Sequence, residues 1–161
     1  MSRERAAWVL PVSIVAALAL GLLPLPDAIA PLRPYWLALA MAYWVLEEPE
    51  RVGLGFAFLV GLIADLVFGS LLGEQALRLT ILAFILQRFR ARLRFFPLSQ
   101  QSLAIGALLV NDRIVTTVLH FALGAPMPAP LSWAAPAIGM LLWPPLFLLL
   151  DTLRLRAWRH R

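Results

Sequence analysis

Asp65, Asp112, Arg113, Thr117 and His120 are the side chains whose types invite chemistry, because each lies in an apolar stretch of the sequence. An ionisable group at the centre of a membrane span costs roughly 2.5–3.5 kcal/mol on insertion scales, so such residues are kept for pairing, relay or ligand binding. Arg113, Thr116, Thr117 and His120 follow helical spacing and share one face. That face is either a polar seam that hydrogen-bonds across helices or one wall of a ligand cavity. Asp65 stands in a series of small residues, Ala57, Gly61, Asp65, Gly69 and Gly73, at strict four-residue spacing. On a helix each such step drifts by about 40°, which makes one slowly winding stripe. Small residues let a second helix backbone approach, so the carboxyl would sit between helices, away from lipid. Counting depth along parallel spans puts Asp65 about 20 Å and Arg113 about 15 Å from one boundary, within reach of each other. An Asp65–Arg113 pair is therefore feasible, although Asp112 is the nearer acid in sequence. The competing readings have Asp65 capping a helix break, sitting protonated against backbone, or relaying a proton or ion.

Other chemistry finds no footing. The chain has no cysteine, no G-x-S-x-G, no lysine-bearing phosphate loop and no H-E-x-x-H. His120 has no second ligand nearby and the other histidine, His160, is in the tail, so no metal site and no cofactor are expected. Glu47, Glu48 and Glu50 cluster beside Arg51, which reads as a solvated turn rather than an acid–base pair.

The elements that must position these residues follow from composition. Of 161 residues, 61% are hydrophobic and 14% charged, against about half and a quarter in a soluble domain. A span takes roughly 20 residues, so six would use about 120 and leave no room for an extramembrane domain. Apolar runs at 7–23, 35–46, 52–72, 76–87, 103–123 and 133–150 predict one integral membrane domain over 1–161: an all-α, six-helix polytopic bundle. Runs 35–46 and 76–87 are short, and a four-span model with these two as half-helices is the rival. Tyr35 and Trp36, then Tyr43 and Trp44, look like anchors at two interfaces. Arg78 must snorkel or pair, and Trp143-Pro144-Pro145 interrupts the last run. The first run resembles a signal peptide, but Pro31 directly follows the small-residue site Ala28-Ile29-Ala30, so an uncleaved span is expected.

All 14 basic residues are arginine. With both termini cytoplasmic, Arg3, Arg5, Arg51, Arg88, Arg90, Arg92, Arg94, Arg154, Arg156, Arg159 and Arg161 fall inside and Arg33 outside, as the positive-inside rule requires. Arg88, Arg90, Arg92, Arg94, Arg154 and Arg156 then form a cytoplasmic basic surface that attracts anionic lipid, at about 1 kcal/mol per residue, or an acidic protein. Because the arginines cluster beside apolar runs, nucleic acid is not an expected partner.

Arg33-Pro34-x-Trp36, Tyr43-Trp44, Arg51-Val52-Gly53 and Gly61-x-x-x-Asp65-x-x-x-Gly69-Ser70-x-x-Gly73 come in that order, followed by Phe96-Pro97-Leu98, Gln100-Gln101 and Leu142-Trp143-Pro144. Together they resemble the rod shape-determining protein MreD family, from Arg33 to near the end of the chain. Two features depart from the family pattern: the acidic 47–50 turn and the charged Asn111-Asp112-Arg113. The resemblance implies a non-enzymatic component of the bacterial elongation (Rod) complex in the cytoplasmic (inner) membrane. Its implied partners are single-span MreC, the MreB filament, and a RodA-type glycosyltransferase with a class B penicillin-binding protein. It also implies the six-helix fold of substrate-binding subunits of energy-coupling-factor transporters. A second copy of the chain is a further candidate partner.

Two functions are thus expected to compete. In the first, a scaffold, Gly61, Asp65, Gly69 and Gly73 receive partner helices, and Gly61→Leu or Gly69→Leu disrupts the complex but not insertion. In the second, a transporter's small-molecule binding subunit, an outward pocket forms near Asp65, Arg113 and His120.

Overall fold

The computed structural model describes residues 7–159, so the expectations placed on Arg3, Arg5, His160 and Arg161 lie outside the described residues. Among the described residues six α-helices follow one another: α1 (Val9–Leu22), α2 (Trp36–Glu47), α3 (Leu54–Phe68), α4 (Glu74–Leu93), α5 (Leu98–Leu123) and α6 (Ala135–Arg159). Single 3-10 turns at Ala30–Leu32 and Pro130–Ala134 lead into α2 and α6, and no strand occurs among the described residues. Each helix falls on one apolar run, but the ends move. Run 52–72 stops being helical at Phe68, while the arginine-rich stretch after Leu86 is the last turns of α4. The arginine-bearing tail continues α6, which passes through Pro144 and Pro145 without ending.

α2 is the centre of the molecule. All of Leu37 to Leu46 is buried, as expected for a helix that is apolar on every side. This corrects the reading of Tyr43 and Trp44 as interface anchors: they are 0% and 1% exposed. Their polar ends are satisfied inside, Trp44 Nε1 donating to Ser13 Oγ at 2.7 Å and Tyr43 Oη to Asp151 Oδ1 at 3.1 Å. α1, α4 and α6 pack around α2, α3 lies against α4, and α5 against α6. The last pair meets over two glycines: a Cβ on Gly106 would lie 2.9 Å from Met140 Sδ, and one on Gly139 2.5 Å from Leu109 Cδ1.

The bundle is apolar on its outer surface and holds a few polar groups inside its largely hydrophobic core. Leu66, Leu72, Phe121 and Leu141 are 74–79% exposed on its outer surface, whereas Asp65, Glu74, Arg78, Gln101 and Asp112 are buried. An apolar surface of this extent marks contact with lipid or other proteins. Two stretches, Leu98–Leu123 and Pro130–Arg159, are long and apolar enough to cross a membrane, and α1 and α3 are shorter apolar helices.

Candidate functional site: a buried arginine–carboxylate network

The α3–α4 turn shows why the glycines and Asp65 keep their spacing. The helix ends at Gly69, whose φ of +65° suits glycine, and the N–H groups of Gly69 and Ser70 both donate to Asp65 O. Gly73, at φ +94°, starts α4, which has no side-chain cap of its own. The Asp65 carboxylate supplies one from the neighbouring helix. It accepts from Gly73 N and Gln75 N, each at 2.8 Å, and from Ser70 Oγ at 2.7 Å. An anion at a helix N-terminus meets unpaired N–H groups and the positive end of the helix dipole. Thus the helix-break reading of Asp65 describes its contacts, and the Asp65–Arg113 pair does not form. The stripe is also shorter than a continuous helix would make it, since Gly69 and Gly73 belong to the turn. Gly61 does face a close backbone, but of the same chain: a Cβ there would sit 2.3 Å from Ala76 Cα in α4.

One turn further along α4 lies the charge network. Arg78, 7% exposed, grips Asp112 of α5 through two bonds, Nε to Oδ1 at 2.8 Å and Nη2 to Oδ2 at 2.7 Å. Such bidentate contacts are the strong form of the arginine–carboxylate pair. Glu74, four residues before Arg78, stands 3.6 Å from its Nη1. The guanidinium lies 4.4 Å over the Tyr35 ring, and the Tyr35 hydroxyl donates to Gln75 Oε1. His120 near the end of α5 joins this assembly, with Nε2 3.2 Å from Glu74 Oε1 and Nδ1 2.7 Å from Pro126 O. So α4, α5, the start of α2 and the loop after α5 are tied together by side chains that satisfy one another.

Arg78 therefore pairs rather than snorkels, and its partner is the acid adjacent to Arg113. The sequence reading did not place Glu74, Tyr35 or Gln75 in this group, although the Glu74–Arg78 four-residue spacing carries a signal. The seam of α5 divides. Asp112 and His120 reach across helices, while Thr116 and Thr117 donate to Asp112 O and Arg113 O of their own helix. Arg113 makes no ion pair among the described residues, and its buried Nε has no hydrogen-bond partner.

At the opposite end of the bundle the six arginines of the expected basic surface have different roles. Arg90 Nε donates to Leu46 O at 2.8 Å, closing the end of α2. Arg154 reaches Glu47 at 3.1 Å and Asp151 at 2.9 Å, so the acidic turn is partly neutralised by α6. Arg88, Arg92, Arg94 and Arg156 remain exposed.

Fold and network together define a helical protein with an apolar exterior, whose buried charges join its own helices. Residues 2–153 match the family model of the rod shape-determining protein MreD. The chain is 36% identical over 150 residues to the rod shape-determining protein MreD of Haemophilus influenzae, covering 91% of this chain and 90% of that protein. The chain belongs to the MreD family, and is a membrane protein concerned with rod shape. No solved structure matches it at a significant level.

Proposed function

We propose that this protein is a non-enzymatic membrane scaffold that links MreC and the MreB cytoskeleton to peptidoglycan synthesis. The observation that carries this reading is the use of its buried polar groups. Asp65, Glu74, Arg78 and Asp112 are committed to each other or to helix ends, and such mutual satisfaction stiffens a bundle instead of poising a group for proton transfer. A rigid bundle with outward leucines and phenylalanines offers partner spans a surface of fixed shape.

In this reading all six helices cross the bilayer. Support comes from the contacts that join them end to end: Arg33 with Gly21 O, Arg90 with Leu46 O, Gln101 Nε2 with Leu93 O, and Tyr43 with Asp151. Successive helices thus run in alternate directions between two common ends. By the positive-inside rule we read the end with Arg51, Arg88, Arg90, Arg92, Arg94, Arg154, Arg156 and Arg159 as cytoplasmic, with the chain termini and MreB on that side. The transporter-subunit likeness adds no argument beyond the helix number.

Because Gly61 packs within the chain, the partner surface in this reading lies on outward faces. Tryptophan placed at Leu66 on α3, Phe121 on α5 or Leu141 on α6 is tolerated in lipid but not in a close helix–helix contact. Expected is loss of MreC co-purification for one face only, with the protein still inserted and monodisperse. Unchanged MreC recovery with all three variants would overturn the scaffold assignment.

A further inference from the structure

At the end of the bundle opposite the basic surface, a cavity of about 410 Å³ opens between α1, the Ala30–Trp36 segment and helices α3 to α5. Its lining is partly apolar, with Ala17, Leu22 and Phe68, and also includes Arg33, Arg78 and Arg113. No carboxylate lines it. The three arginines are not equivalent. Arg78 is matched by Asp112 and Glu74. Arg33 donates through Nη1 and Nη2 to Gly21 O and Leu23 O, acceptors without net charge, and its buried Nε has no partner. Arg113 likewise has an unpartnered, buried Nε, and the nearest acid in sequence, Asp112, is committed to Arg78.

Buried donors without acceptors are rare in folded proteins and call for an explanation, because leaving a donor dry is unfavourable. Arg33 and Arg113 line one cavity without an ion pair among the described residues, and an anion with several acceptor oxygens matches their charge. Phosphate is the group whose geometry arginine matches best. The cavity size falls within the range of small-molecule sites, about 300–1,000 Å³. The apolar wall beside the arginines, and Trp36 and Tyr35 at the same level, suit a phosphate that carries hydrocarbon chains.

We propose that this cavity binds the phosphate of an anionic membrane lipid, held by Arg33 and Arg113, with its chains along the wall formed by α1 and Phe68. The assignment needs the protein to lie in a membrane but does not depend on the scaffold reading. Arg113 serves as ligand donor without a structural duty, and Arg33 combines ligand binding with closure of α1.

The test uses the full chain purified in dodecyl maltoside, with bound lipid measured by native mass spectrometry. Phosphatidylglycerol, phosphatidylcholine and inorganic phosphate are titrated separately. Expected is saturable retention of phosphatidylglycerol, much weaker retention of phosphatidylcholine, and displacement by inorganic phosphate only at large excess. Arg113→Gln should weaken phosphatidylglycerol binding about ten- to a hundredfold, the range for one charge-assisted contact, and Arg113→Lys should recover part of it. Melting of lipid-free Arg113→Gln should be unchanged or raised, since no protein partner is lost, and this separates loss of the site from loss of the fold. Equal binding of phosphatidylcholine, or unaltered phosphatidylglycerol binding by Arg113→Gln, would overturn the assignment. Inorganic phosphate binding as tightly as the lipid would refute the role of the apolar wall. An acidic peptide that occupies the site where phosphatidylglycerol does not would refute the lipid.

Discussion

Replacing Arg78 by methionine removes the hub of the buried network while keeping most of the side-chain volume. Two charge-assisted bonds to Asp112, at 2.8 and 2.7 Å, are lost, and the Glu74 contact at 3.6 Å goes with them. Asp112 and Glu74 are then left 6% and 8% exposed without their cation. Removing one member of a buried pair costs about 3–5 kcal/mol, mostly from the charge left behind. Arg78→Met is expected in the upper part of that range because it strands Asp112 and leaves Glu74 with His120 alone. Asp112→Leu belongs in the lower part, near about 3 kcal/mol, because Arg78 keeps Glu74 and the Tyr35 ring. The double variant Arg78→Met/Asp112→Leu strands neither Arg78 nor Asp112, and Glu74 retains His120 at 3.2 Å. Its destabilisation should therefore fall short of the sum of the singles by about 2–3 kcal/mol. Unfolding in dodecyl maltoside micelles by titration with sodium dodecyl sulfate, followed through the six tryptophans, measures all three. Additivity within about 0.5 kcal/mol would show that the two residues do not act as a pair and would refute the reasoning.

Two further substitutions separate the roles of the motif glycines. Gly61→Ala brings a methyl against the backbone of Ala76, which must shift to admit it, so a loss of about 3 kcal/mol is expected as a lowered melting temperature in detergent. Gly69→Ala meets no atom within 4 Å and suffers only from its φ of +65°, which limits the loss to about 1–2 kcal/mol. Equal losses at the two sites would contradict this division. Asp65→Ala leaves the N–H groups of Gly73 and Gln75 without their acceptor, at about 1–3 kcal/mol for each donor that stays dry. Hydrogen exchange at those two amides should speed up while exchange in the middle of α5 stays slow; unchanged exchange at both would exclude the cap.

Much of the helical order is legible in the sequence. Six apolar runs became six helices because continuous hydrophobicity of that length is a local property, and loops rich in proline and glycine separate them by local rules. The family was legible for the same reason: it is carried by ordered short motifs such as the one from Gly61 to Gly73. The constraint on Arg78 was also readable, since an arginine in an apolar run has few outcomes and pairing is one of them. Which acid it takes was not readable, and neither was the burial of Tyr43 and Trp44. An aromatic residue near a helix end looks the same in sequence whether it faces lipid headgroups or neighbouring helices.

Composition and pattern settled the helical class, the family and the positions at which charge enters the apolar runs, because each depends on residues close together in the chain. Tertiary structure decided the partners. Asp65 lies in the last turn of α3, where backbone N–H groups at the start of α4 reach it before any arginine on α5 can. The rotation and depth of α4 then bring Arg78 to Asp112 and leave Arg113 facing a cavity. Rotation and depth arise from packing around α2, and packing is set by contacts between residues far apart in the chain, which no local pattern encodes.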